Sequence, residues 1–117
     1  MEARERAEAI ARNDATFRAA NERVSDFANG LDDMDGTPLP FLCECADIRC
    51  TEIVRLTRAE YEAVRRDPTR FATVPGHEGD EDSTTVVDEN DRYAVVEKLG
   101  AAAEIAVELD PRAGSGR

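Results

Sequence analysis

The chain has 117 residues, enough for one domain with a modest core. Its 26 acids against 15 bases give a formal net charge of −11, which excludes an electrostatic grip on nucleic-acid phosphates or on an anionic membrane. With no Trp, four Phe and two Tyr the core lacks large anchors, so a bound metal is the expected supplement.

All the bases but Lys98 are Arg, and with the many Ala, Asp and Glu residues this bias is that of a GC-rich bacterial genome. No apolar run reaches the length of a membrane span, and the start Met1-Glu2-Ala3-Arg4-Glu5 lacks the apolar centre of a signal peptide. The expected location is therefore the cytoplasm. Structural disulfides are disfavoured there, and the odd count of three cysteines agrees.

Residues 3–29 read as one amphipathic helix. Ile10, Phe17, Ala20, Val24, Phe27 and Leu31 recur at steps of three and four, with Asn13 filling the gap, a narrow seam of the coiled-coil kind. Asn29-Gly30 supplies the stop. At ~1.5 Å per residue the helix is about 40 Å long, more than so small a body needs, so its first turns are expected to project or to dock on a partner, a second copy of this chain included. Residues 31–40, with three Asp, one Gly and two Pro, read as a linker.

Phe41–Glu44 reads as a short strand entering a knuckle, and Thr51–Leu56 as the strand leaving it. Thr57 with Glu60 three residues on makes a capping box, and Leu56 and Tyr61 are placed to staple it. That helix is expected over Arg58–Arg66, before Asp67-Pro68 ends it. Arg70–Val74 reads as a strand, Pro75-Gly76-His77 as a turn, and residues 78–82 as an acidic loop. Ser83–Val87 and Tyr93–Lys98 read as a hairpin. Gly100 precedes a short helix with Ala102, Ile105, Ala106 and Leu109 on one face, stopped by Asp110-Pro111.

All three cysteines fall in the eight residues Cys43-Glu44-Cys45-Ala46-Asp47-Ile48-Arg49-Cys50, and the only histidine, His77, lies in a turn that can return to the same place. Structural zinc takes four ligands in a tetrahedron, and three thiolates with one imidazole are an ordinary set. Cys43 and Cys45, two apart on an extended run, point to one side, and Cys50 returns from the other arm of the turn. The predicted metal ligands are Cys43, Cys45, Cys50 and His77, with Asp47 or a water as the substitute for His77. Three thiolates leave a site charge of −1, which nearby Arg49 can offset. No glycine-rich phosphate loop and no Ser-His-Asp order is present, and nothing in the sequence argues for an enzyme.

Several stretches resemble a group of small uncharacterised actinobacterial proteins with a Cys-x-Cys-x4-Cys…Pro-Gly-His pattern. They are Phe41–Asp47, Cys50-Thr51-Glu52, Leu56–Glu62, Arg70-Phe71, Pro75-Gly76-His77, Tyr93–Lys98, Asp110-Pro111-Arg112, and the N-terminal Phe17-Arg18 with Asn21-Glu22. The loop at 78–85 departs from that pattern. The resemblance implies a source and no activity.

The expected fold is α+β: a long N-terminal amphipathic helix (1–30), a linker (31–40), a metal-stabilised α+β domain (41–111) and a disordered tail (112–117). The domain holds a small antiparallel sheet of three to five strands, two short helices and a zinc knuckle. The expected function is a zinc-binding interaction or regulatory module that binds another protein, with no nucleic acid and no membrane as partner. A zinc-thiolate redox sensor is the alternative, and a small metal-dependent enzyme comes third.

Overall fold

The structure, a computed structural model, describes residues 3–29, 36–45, 47, 49–77, 79 and 83–112. Helix α1 (Ala3–Asn29) is followed by β1 (Leu39–Leu42), β2 (Ile53–Leu56), α2 (Arg58–Val64), β3 (Arg70–Thr73), β4 (Thr84–Glu89), β5 (Ala94–Lys98) and α3 (Gly100–Glu108). The fold is α+β. The expected stop at Gly30, the seam residue Leu31, most of the acidic loop 78–82 and the tail from 113 lie outside the described residues, as do linker residues 31–35, while Leu39 and Pro40 stand in β1.

The five strands divide between two antiparallel sheets, β1-β2 and β3-β5-β4. Leu39 pairs with Leu56 in the first, Phe71 with Val96 in the second. The split has a local cause. Thr57 caps α2 immediately after β2, its hydroxyl accepting from Glu60 N–H at 3.1 Å while Thr57 N–H donates to Glu60 Oε1 at 2.8 Å, so the chain turns into a helix before a third strand can be added. The sheets meet where β1 runs out. Cys43 N–H still donates to Glu52 O at 3.1 Å, but Glu44 N–H donates to Ala72 O at 2.9 Å, on β3. The chain thus passes from one sheet to the other at Cys43-Glu44.

The main core lies beneath that crossing. Phe41 stacks on Tyr61 with ring centroids 4.4 Å apart, among Leu39, Val54, Leu56, Val64, Ala72, Tyr93 and Val95. Leu56 and Tyr61, the expected staple, share this cluster. A second cluster joins Phe71, Val96 and Ala106 on the other face of the β3-β5-β4 sheet. Edge strand β4 is exposed beyond Thr84 and carries a bulge between Val86 and Asp88.

Helix α1 packs on α3, β1 and α2, but not through the seam read from the sequence. Its buried stripe is Ala11, Asp14, Arg18, Asn21, Ser25 and Ala28. This stripe keeps the three–four spacing and is displaced by one residue, about 100° around the helix. Ile10, Phe17, Ala20 and Val24 are half-buried on its flank, and Phe27 is exposed. The cause is the polar partners waiting on the body. Lys98 Nζ meets Asp14 at 2.5 Å, Arg18 Nη1 donates to Pro68 O at 2.7 Å with its guanidinium 3.6 Å above the Phe71 ring, and Ser25 Oγ donates to Glu62 at 3.0 Å. Beside the stripe, Glu22 accepts from Tyr61 Oη at 2.7 Å, from Arg65 at 3.1 Å and from Arg112 at 2.5 Å. Burial alone would raise the Glu22 carboxyl, but these three donors outweigh it and hold it below the usual range.

Candidate metal centre

Each ligand candidate is carried by a distinct piece of backbone geometry. Cys43 stands on the crossing between the sheets and Cys45 two residues beyond it, where the chain bends. The return is a turn built on Asp47. Arg49 N–H donates to Asp47 Oδ1 at 3.0 Å and Cys50 N–H to Asp47 O at 2.9 Å, the side-chain and main-chain closures typical of an Asp-initiated turn. His77 arrives from the far end of β3. Val74-Pro75-Gly76-His77 forms a turn closed by His77 N–H on Val74 O at 2.9 Å, with Pro75 first and Gly76 second. Gly76 sits at φ +95°, a left-handed position that a side chain would strain.

These pieces bring Cys43, Cys45, Cys50 and His77 together, with one ligand atom from each and all four within 4.8 Å of one another. His77 Nδ1 lies 3.6 Å from Cys43 Sγ and 3.7 Å from Cys50 Sγ. A tetrahedral zinc with bonds of about 2.3 Å to sulfur and about 2.0–2.1 Å to nitrogen sets its S···N edges at about 3.5–3.6 Å. The Cys43 and Cys50 edges to His77 lie close to that length. The four residues could therefore hold a metal ion. All three cysteines are free thiols.

Cys43 is buried, while Cys45, Cys50 and His77 are half-buried. Val74 N–H donates to Cys43 Sγ at 3.2 Å, the kind of main-chain bond that supports a thiolate ligand. Burial pushes the Cys43 and Cys45 thiols above their ordinary value, and the neighbouring sulfurs add to the rise at Cys43. The pocket is thus unfavourable to uncompensated thiolates, and a bound cation would reverse that balance. Asp47, the substitute ligand read from the sequence, stands outside the four. Its Oδ1 is engaged by Arg49, whose side chain is almost fully exposed, and these bonds hold its carboxyl below the usual range.

Two residues that matter to the site are absent from the ligand reading. Glu44, between Cys43 and Cys45, is fully buried. Its Oε1 accepts from Ala72 N–H at 3.0 Å and its Oε2 from Asn21 Nδ2 at 2.8 Å. Burial pushes its carboxyl up, against the pull of Arg18 and of these two bonds. Asn21, also buried, pairs with the Leu42 main chain as well. The sequence holds a signal for Glu44: the alternation that turns Cys43 and Cys45 to one side turns the residue between them to the other, into the body.

A groove of 290 Å³ between α2 and the β4–β5 hairpin, and another of 420 Å³ where α1 passes β1, include none of the four ligand candidates. Among the described residues no helix is long and apolar enough to cross a membrane. Compared with protein-family models, with curated proteins and with solved structures, the chain matches none.

Proposed function

We propose that this chain is a zinc-stabilised module that binds another protein. The observation that carries the reading is the convergence of Cys43, Cys45, Cys50 and His77 ligand atoms within 4.8 Å, with the Cys43 and Cys50 edges to His77 near tetrahedral length. Three soft sulfurs with an imidazole favour zinc over harder cations. Four protein ligands close the shell and leave no position for a reacting water, which supports a structural rather than a catalytic centre. Free thiols fit a reducing compartment such as the cytoplasm. For the partner, the support is the 420 Å³ groove lined by Val24, Phe27, Ala28, Leu39 and Pro40. Phe27 is 72% exposed there, a large ring offered to a neighbour. The charge of −11 speaks against a polyanionic partner.

Elemental analysis of the purified chain should find about one zinc per chain. Cys45→Ser should lower that content and destabilise the fold by several kcal/mol, on the order of a structural zinc's contribution to folding. His77→Ala should release zinc at a lower chelator concentration than the parent. Zinc should also bind more weakly as pH falls, because protons compete for the ligands. A Cys45→Ser chain with unchanged metal content and melting would refute the zinc centre, and unchanged chelator resistance in His77→Ala would remove His77 from it.

A further inference from the structure

The stripe that α1 buries contains no large apolar side chain: it is Ala11, Asp14, Arg18, Asn21, Ser25 and Ala28. Burying such a face gains little from apolar area. Beside the apolar contacts of Ala28 and the flanking Val24, its docking rests on directional bonds, which hold only while donor and acceptor stay in place. One of these anchors runs to the metal centre. Asn21 Oδ1 accepts from Leu42 N–H at 2.7 Å, and its Nδ2 donates to Leu42 O at 2.9 Å and to Glu44 Oε2 at 2.8 Å. Glu44 is fixed from the other side by β3, through Ala72 N–H on Oε1 at 3.0 Å and Glu44 N–H on Ala72 O at 2.9 Å. The main chain of Glu44 is the link between Cys43 and Cys45, so a shift of Glu44 displaces both sulfurs.

We infer that Glu44 and Asn21 are positioning residues for the metal centre, and that metal occupancy and the docking of α1 are therefore coupled. The inference rests on the zinc reading above. Outer partners that orient metal ligands govern affinity, and here the oriented unit is the backbone between two ligands rather than a single ring. Coupling of this kind is reciprocal: the factor by which a docked α1 strengthens metal binding is the factor by which metal strengthens docking. Loss of the ion then loosens α1 in particular, and a loosened α1 uncovers the half-buried Ile10, Phe17 and Val24 beside the already exposed Phe27.

The test uses the full chain and begins with its zinc content. Backbone amide exchange is then followed with zinc bound and after chelation. Removal of zinc should speed exchange throughout the fold, and across residues 14–25 by about tenfold or more beyond the change in β4 and β5. Asn21→Ala should weaken zinc binding by about 10–100-fold. Glu44→Gln should do likewise, because its amide would set a donor against Asn21 Nδ2, and the double variant should lose no more than the weaker single one. A chain that takes up zinc yet shows the same α1 exchange with and without it overturns the coupling and leaves the zinc centre standing. Equal loss of protection in every element also overturns it, since zinc would then support the whole fold without any particular hold on α1. Asn21→Ala that lowers the melting temperature at unchanged zinc affinity makes Asn21 merely structural, which again overturns it. A wild-type chain that takes up no metal refutes the zinc reading itself and this inference with it.

Discussion

Phe41 and Asn21 are both fully buried, and they are held in unlike ways. Phe41 lies in an apolar cluster, stacked on Tyr61, where contact in any direction is favourable. Asn21 lies on a stripe whose neighbours are Asp14, held by an ion pair to Lys98, and Arg18 and Ser25, each held by a hydrogen bond. Deleting atoms from the first region loses area and leaves a cavity. Deleting one partner from the second leaves the other desolvated and unpaired, while replacing both partners together can cost little. The first region is therefore graded in its response and the second depends on pairs.

The largest expected effect probes the apolar side. Phe41→Ala should cost about 3–5 kcal/mol in urea unfolding, the range for emptying a buried aromatic site. If the comparison holds, the protein that remains folded should still take up zinc, because no ligand and no Glu44 bond passes through the Phe41 side chain. A loss well under about 1 kcal/mol would mean that the cluster is not where the fold is held.

The next prediction probes the paired side. Burial pushes the Asp14 carboxyl up to about 7 from an ordinary 3.8, against the pull of Lys98. A folded-state value above the unfolded one means that the folded chain binds the proton more tightly. The stability from this group is thus complete below about 3.8 and is lost as pH rises through about 7. Asp14→Leu combined with Lys98→Met should be neutral or stabilising near neutral pH, as for other buried pairs replaced by apolar residues. Asp14→Leu alone, which leaves the buried Lys98 ammonium without any acceptor at this position, should destabilise. Stability followed from pH 4 to pH 7.5 by urea unfolding should lose its Asp14-dependent decline in the double variant. A double variant as damaged as the single one would mean that the stripe packs like the core.

How much of this was legible in the sequence follows the same division. Helix α1 and the capping box at Thr57 and Glu60 rest on local rules and stand where those rules put them, while the grouping of His77 with the cysteines was legible only from ligand chemistry, as the chain's single histidine in a turn. The divided sheet was not legible, because the crossing at Cys43-Glu44 depends on a pairing with Ala72, 28 residues away. The buried face of α1 is hidden from apolar periodicity for a physical reason. Apolar periodicity finds the core side of a helix when area drives docking, and here Ile10, Phe17, Val24 and Phe27 draw attention to the flank. Asp14, Arg18, Asn21 and Ser25 keep the same three–four spacing, but polar residues at such positions ordinarily mark a solvated face. Only their partners Lys98, Pro68, Leu42 and Glu62, distant in sequence, mark it as buried.

The smallest expected effect tests whether directed bonds matter when they are exposed. Arg92 forks Glu60 with bonds of 2.9 Å and 2.6 Å and also donates to Arg55 O at 3.0 Å, so its geometry rivals that of the buried pairs. The fork, with help from the Thr57 main chain, holds the Glu60 carboxyl down to about 2. A lowered folded-state value contributes stability above the ordinary carboxylate range, and that stability is lost as pH falls from about 4.5 toward 2. Both side chains are substantially exposed, however, and water and salt screen them. Arg92→Ala should therefore shift the urea midpoint less than Phe41→Ala or Asp14→Leu alone, should flatten the acid limb below pH 4.5, and should become indistinguishable from wild type at about 1 M salt. Glu60→Ala should cost more than Arg92→Ala, because it also removes the acceptor from Thr57 N–H at the start of α2. If Arg92→Ala instead matched the damage of Asp14→Leu and kept it in high salt, bond direction alone would set the size of these effects, and burial would lose its place in the comparison.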